Sequence, residues 1–357
     1  MGLAHLQVRG GHSYGFGTAT SEEIVEAAAR MGMGCLALTD RDGLYGVPRF
    51  LRAAEETDVS PVAGAEVTME GGGHLVLLAE SMDGYRSLSN LITAYRCGSE
   101  DRRRPLCPLD LLLEHAAGLI CMTGAVPFGL IPRLVLSNKA LDAGRILARL
   151  SEAFGDGNVF VEVTGDRTAG SRGRLAKVAG FAREQGVPIL ATNEVAYLGP
   201  EDHRLHEVLV AASNLSRLPG PGYRPTDQLY LKPPKKMERL FEDYPEVLRN
   251  TALVAKRCAG KITLSGAVHM PAARIEGGEG AERELTRLAL EGARERYGEL
   301  DIKVLGRLRR EISCIKALGF APYFLVAHEA VRIARKKGIP ATGRGSAANS
   351  VVSYAWA

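Results

Sequence analysis

The chain has no pair of cysteines at metal-binding spacing. Its six cysteines (Cys35, Cys97, Cys107, Cys121, Cys258 and Cys314) are scattered without a CxxC motif. That excludes a zinc ribbon and gives no sign of a disulfide framework. Long apolar runs are missing too: no window approaches the roughly eighteen residues of a membrane-spanning helix. The opening Met1-Gly2-Leu3-Ala4-His5 passes straight into an alternating pattern, without the basic and then apolar order of a secretory leader. Neither sign of charge dominates. Lys plus Arg number 45 and Asp plus Glu 41, for a net charge of +4, which permits a nucleic-acid partner without arguing for one. No internal repeat or low-complexity tract appears. A reducing cytoplasm is the expected compartment, with no membrane partner.

What is present is a chain of 357 residues, 46% hydrophobic, enough to bury a real core as two domains, or as one large α/β domain plus an appendage. Its first two hundred residues alternate short apolar runs with amphipathic stretches. Cys35–Asp40, Pro61–Val67, His74–Ala79, Gly118–Gly124, Val159–Val163 and Pro188–Glu194 read as strands. Ser21–Arg30, Val47–Glu56, Gly84–Tyr95 and Ala176–Gln185 read as helices, the first capped by Thr20 or Ser21. This alternation predicts parallel strands wrapped by helices, as a barrel or a doubly wound sheet. Asp40, Glu66, Asn193 and Glu194 fall at strand C-terminal ends, the rim on which α/β barrels build their sites.

From Leu215 prolines 219, 221, 225, 233 and 234 mark a loop-rich bridge. Helices follow at Met237–Phe241 and Pro245–Cys258, then a glycine linker at Gly277–Gly280. Further helices are expected at Ala281–Tyr297, Val304–Leu318 and Tyr323–Lys337. Arg307, Arg309, Arg310, Lys316, Arg332, Arg335, Lys336, Lys337 and Arg344 crowd this last stretch, as a solvated helix face or a polyanion-facing one. It ends in a glycine-rich turn, Gly343-Arg344-Gly345-Ser346-Ala347-Ala348-Asn349-Ser350. Such a turn brings backbone N–H groups close to a phosphate, or simply caps a helix.

Several of these segments resemble the α subunit of bacterial DNA polymerase III, a C-family polymerase, and its error-prone relatives. They are Thr39–Gly46, Gly64-Ala65-Glu66, His74–Ala79, Ala191-Thr192-Asn193, Leu318–Leu325 and Gly338–Ser350. The resemblance implies an α/β PHP domain (polymerase and histidinol phosphatase), a distorted (β/α)7 barrel, over residues 1–214. It implies a connector over 215–276 and the first part of a mainly helical, nucleotidyltransferase-type palm over 277–357. The implied reaction is DNA-templated nucleotidyl transfer with Mg²⁺. DNA, dNTP and other replisome or repair subunits are the implied partners.

The departures from the family pattern bear on the metal centre. The family's opening HxHxH appears as His5, Gln7 and Arg9. Phe16 replaces an aspartate, Arg41 a histidine and Ala125 a cysteine. The late Asp-x-His appears as Glu194-Val195-Ala196. His5, Asp40, Glu66, His74 and Glu194 remain. Alanines remove donors, and arginines add cations that cannot deprotonate. A metal-free PHP site, held by salt bridges from arginine to Glu66 or Asp40, is therefore expected, with no Zn²⁺ or Mn²⁺ and no exonuclease activity. His12 reads as a turn residue, and the pair His203 and His206 as capping or packing. In the palm segment Gly343, Arg344, Gly345, Ser346 and Ser350 are the expected phosphate contacts. Asn349 stands where the family has glycine. The carboxylates of polymerisation lie beyond this segment in the family, so no complete polymerase site is expected here. Two other readings stay open: a PHP phosphoesterase or 3′–5′ exonuclease, and a non-catalytic DNA-binding or scaffold module.

Overall fold

The computed structural model describes residues 4–101, 103–165, 167–220, 226–264, 270–271, 280–345 and 349–356. The chain divides into two compact units, Met1–Leu264 and Ser265–Ala357. The first is built on a six-stranded sheet in sequence order. Its strands are β1 (Cys35–Arg41), β2 (Ser60–Thr68), β3 (His74–Ala79), β4 (Leu119–Met122), β5 (Val159–Thr164) and β6 (Ile189–Thr192).

The pairing corrects one expectation. β1 with β2, β4 with β5, and β5 with β6 are parallel, but β3 is antiparallel to both of its neighbours. Thr68 pairs with His74 across a tight connection. A parallel crossover needs a dozen or more residues. Gly71, Gly72 and Gly73 all sit at positive φ in this turn, which only glycine adopts freely.

The segment before β1 joins the two ends of the sheet. The amide of Ala37 donates to the His5 carbonyl at 2.9 Å and that of Thr39 to Val8 at 2.8 Å. On the other side Arg9 donates to Val195 at 2.9 Å and Val195 to Gln7 at 3.1 Å. Residues 5–9 thus sit between β1 and the chain leaving β6, and the sheet curls into a distorted barrel.

Strand periodicity sorts the side chains. Cys35, Ala37, Val62, Val76, Leu78, Ile120, Met122, Phe160 and Leu190 form one buried cluster inside the barrel with Leu6. The residues between them, such as Leu36, Leu38, Leu75, Leu77, Cys121, Val161 and Ala191, face the surrounding helices in a larger cluster. Val254, Ala255 and Cys258 of a helix at Pro245–Cys258 join the interior cluster.

The outer helices are α1 (Ser21–Arg30), α2 (Val47–Glu55), α3 (Met82–Gly98), α4 (Leu109–Glu114), α5 (Leu130–Leu136), α6 (Ala140–Phe154), α7 (Ser171–Glu184) and α8 (His203–Ser213). Then come α9 (Pro234–Leu240) and α10, the helix at Pro245–Cys258. Thr20 and Glu23 close a capping box at the start of α1. Helices α4, α5 and α6 were not read in the sequence, and Lys139 at the N-cap of α6 makes no side-chain capping bond.

The second unit is helical: α11 (Ala281–Tyr297), α12 (Ile302–Ala317), α13 (Ala321–Lys336) and α14 (Val351–Trp356). Leu285, Ala289, Ala293, Leu308, Ile312, Ile315, Ala321, Leu325, Val352 and Ala355 make its core. Of the expected glycine linker only Gly280 lies within the described residues.

Candidate functional site

Stepping two residues along each strand from the apolar interior leads to a polar tier. Cys35 and Ala37 lead to Thr39 and Arg41, and Val62 leads to Glu66. On antiparallel β3 the step from Val76 leads to His74. Phe160 leads to Glu162 and Thr164, and Leu190 to Thr192 and Glu194. One end of the barrel is therefore apolar and the other carries ionisable groups. Glu66, Glu162 and Glu194 are at most 1% exposed.

Arg9 occupies the middle of this tier and is itself 1% exposed. Its Nε donates to Glu66 Oε2 at 2.7 Å, and its Nη2 lies 2.5 Å from the same oxygen. The same Nη2 donates to Glu194 Oε1 at 2.7 Å. Backbone pairing sets this up, because Arg9 hydrogen-bonds Val195, the neighbour of Glu194. Glu194 is held at φ 53°, uncommon for a residue with a side chain.

Arg41 stands directly opposite Glu66 in the β1–β2 register, and its Nε donates to Glu66 Oε1 at 2.9 Å. Both guanidinium groups lie over the ring of Phe16, at 4.5 Å for Arg9 and 4.8 Å for Arg41. Gln7 Nε2 adds a third donor to Glu66 Oε2 at 3.1 Å.

Asp40 pairs with neither arginine. Its Oδ1 accepts from the Gly10 amide at 2.8 Å and the Ser13 hydroxyl at 2.7 Å, and its Oδ2 is buried without a partner. His5 Nε2 bonds the Lys232 carbonyl at 2.8 Å. His74 Nε2 accepts from the amide of Ala125 at 3.3 Å, and the same nitrogen is 3.7 Å from Glu66. An accepting Nε2 carries no proton, so His74 is neutral, with its proton on Nδ1, and the short approach to Glu66 is no ion pair. Ala196 lies buried in the small cluster of Phe16, Tyr197 and Val210. His206 is also buried, with Nδ1 2.7 Å from the Phe16 carbonyl. His203 approaches Glu207 at 3.9 Å. Among the described residues no three His, Cys, Asp or Glu side chains converge in a metal-holding group.

Residues 5–165 match the PHP domain and residues 283–357 the bacterial DNA polymerase III alpha NTPase domain. An error-prone DNA polymerase of Symbiobacterium thermophilum is 35% identical over 99% of this chain and 34% of its own length. One from Mycobacterium bovis is 34% identical over 99% of this chain and 34% of its own. The DNA polymerase III subunit alpha of Borreliella burgdorferi is 32% identical over 98% of this chain and 32% of its own. The chain thus carries a PHP domain and a bacterial DNA polymerase III alpha NTPase domain, and over nearly its whole length it is similar to proteins named error-prone DNA polymerase and DNA polymerase III subunit alpha. It spans about a third of the length of the curated relatives it matches.

Within this PHP domain the charges balance around Arg9. Burial raises the Glu66 carboxyl, but the guanidinium charges of Arg9 and Arg41 outweigh it and hold Glu66 well below the usual carboxylate range. Burial lowers Arg9, and Glu66 and Glu194 more than reverse that, so Arg9 stays charged. Burial takes His5 and His74 down to about 4, so both imidazoles are neutral at pH 7. Two guanidinium groups thus face two carboxylates, Glu66 and Glu194. Asp40, raised by burial against its bonds from Ser13 and Gly10, stands apart from them.

Three features of the tier went unread in the sequence. Glu162 is the one charged residue of β5, set in an otherwise apolar run, which is a signal the sequence carries. Its Oε1 accepts from the Thr192 hydroxyl, its Oε2 has no partner, and burial raises its carboxyl to about 8. Lys232 is fully buried, and its Nζ donates to Asn193 Oδ1 at 2.8 Å and to the Gln228 carbonyl. Ser13 anchors Asp40 from a loop without regular structure.

In the polymerase III α segment, Gly343, Arg344 and Gly345 are exposed, with Gly345 at φ 86°. Ser346 lies outside the described residues. Ser350 is engaged within the fold. Its hydroxyl accepts from the amide of Ser353 at 3.2 Å, as a cap of α14, and donates to Glu311 Oε2 at 2.8 Å. Glu311 is paired in turn with Arg307 at 2.8 Å.

Proposed function

We propose that residues 1–357 are the N-terminal region of a DNA polymerase III α-type, DNA-directed DNA polymerase of the cytoplasm, and that their PHP site is degenerate. On this reading residues 1–214 are the PHP domain, 215–276 a connector and 277–357 the first part of the palm. Templated nucleotidyl transfer with Mg²⁺, DNA and dNTP is the work of a protein of family length, assembled with replisome or repair subunits. The PHP site then contributes architecture and no phosphoester chemistry.

The observation that carries this reading is the position of the Arg9 guanidinium, 2.5 Å from Glu66 and 2.7 Å from Glu194. A divalent zinc ion would need those oxygens at about 2.0–2.2 Å. It would compete for the same space with a permanent cation. The donor set does not fit a metal cluster: Gln7, Ala125 and Ala196 supply no ligand of the required type, and His74 already spends Nε2 on the Ala125 amide.

The test is a phosphoester assay on the purified chain. It would be offered a 3′-ended oligodeoxynucleotide and a chromogenic phosphodiester, with Mn²⁺ or Zn²⁺ added. No turnover above buffer is expected. Metal-dependent hydrolysis that is lost on replacing Glu66 or Asp40 would reject the degenerate reading and favour a working PHP phosphoesterase. A primer-extension assay on the same chain addresses the polymerase half, and no templated incorporation is expected.

A further inference from the structure

We propose that a cavity on the first unit, between the loop after β5, the start of α7 and α9, binds a phosphate group. The cavity is about 470 Å³, and it lies apart from the Arg9 network in its lining. Three arginines from three segments border it: Arg167 from the loop, Arg172 from α7 and Arg239 from α9. Among the described residues none of the three has an ion-pair or hydrogen-bond partner. Many other arginines on this chain are paired, as Arg49 is with Glu22, Arg149 with Asp110 and Arg183 with Glu246. No described lining residue carries a carboxylate.

The cavity is shaped by the chain and not left over from loose packing. Gly165 meets the Leu240 side chain so closely that an added Cβ would come within 2.9 Å of it. That approach brings α9, and with it Arg239, to the cavity edge. Arg167 at φ 56° and Gly170 at φ 76° bend the loop, and Arg174 ties it down by donating to the Ala169 carbonyl at 2.9 Å. The loop delivers the first residue of α7, Ser171, which is 9% exposed and lines the cavity with a hydroxyl that has no partner. No side chain caps this end of α7 and its first turn holds no acidic residue. A concave site with three free guanidinium groups, a free hydroxyl and uncapped backbone N–H groups matches the acceptor oxygens of a phosphate.

Phosphate of this kind has two sources, a free anion or the end of a nucleic-acid strand. The test uses the whole chain and the variant R172Q/R239Q. Both positions are exposed and unpaired, so the variant should melt at the wild-type temperature in chloride, which checks its fold. Inorganic phosphate is titrated by calorimetry at constant ionic strength. A 5′-phosphorylated oligodeoxynucleotide and its 5′-hydroxyl twin are titrated by fluorescence anisotropy. Wild type should bind a phosphate-bearing probe, with affinity falling roughly tenfold for each arginine removed. Preference for the phosphorylated strand that disappears in the variant assigns the phosphate to a strand end, and the same dependence for inorganic phosphate alone assigns it to a free anion. No binding of any probe, or binding unchanged in R172Q/R239Q, overturns the proposal.

Discussion

Arg9 and Glu66 are joined twice, through Nε at 2.7 Å and Nη2 at 2.5 Å to one carboxylate oxygen, and both side chains are fully buried. Losing one partner of such a pair costs far more than the pair itself gains, because a charge is left behind in a low-dielectric interior. Arg9→Met should therefore lower unfolding stability by about 3–5 kcal/mol, measured by urea denaturation. Glu66 and Glu194 would then face each other with no guanidinium between them. A near-neutral result would mean that water or another cation replaces Arg9 without strain.

Arg41 tests the same network from its outer edge. It also bonds Glu66, but its side chain is 40% exposed. Solvent screens such a pair, so Arg41→Met should cost only about 1 kcal/mol or less. Equal losses for the two arginines would contradict the central position given to Arg9.

The pH dependence of stability has two limbs of opposite sign. Glu162 is raised by burial from the ordinary 4.5 to about 8. The folded state holds this proton more tightly than the unfolded chain, so stability falls as pH rises from about 4.5 to 8. His5 and His74 are lowered by burial to about 4. The unfolded chain binds their protons more readily, so stability falls as pH drops from about 6.5 towards 4. Glu162→Gln should remove the alkaline limb. Thermal melts of variant and wild type should agree near pH 4.5, and the variant should gain on the order of a few kcal/mol by pH 8. A gap that stays constant across this range would show that Glu162 does not titrate as described.

Ser350 invites a test of cap against phosphate contact. As an N-cap that also donates to Glu311, its replacement by alanine should cost about 1 kcal/mol, read in thermal unfolding without any nucleotide. No loss would leave the hydroxyl free for a ligand.

The extent to which the sequence foretold this structure differs from element to element. Helices with a marked amphipathic pattern were legible to the residue: Pro245–Cys258 and Ala281–Tyr297 match α10 and α11. The direction of β3 was not, since a short apolar run reads the same either way; the shortness of the 69–73 connection decides it. Helix α6 starts without a capping residue and so lacked its usual signal.

At the site, the substitutions Gln7, Arg9 and Arg41 were visible as residue types. Which carboxylates they would meet was not. The pairing of Arg9 with Glu194 depends on residues 5–9 lying beside the chain after β6, a contact 185 positions apart. Lys232 sits beside Asn193 for a similar reason, brought there by a loop that carries no pattern of its own.

In the proposed degenerate PHP site, guanidinium groups and not divalent ions neutralise Glu66 and Glu194. Elemental analysis of the purified chain after dialysis against zinc and manganese measures this directly. Metal far below one ion per chain, unchanged when Glu66 is replaced, is the expected result. Stoichiometric zinc or manganese that depends on Glu66 would contradict it.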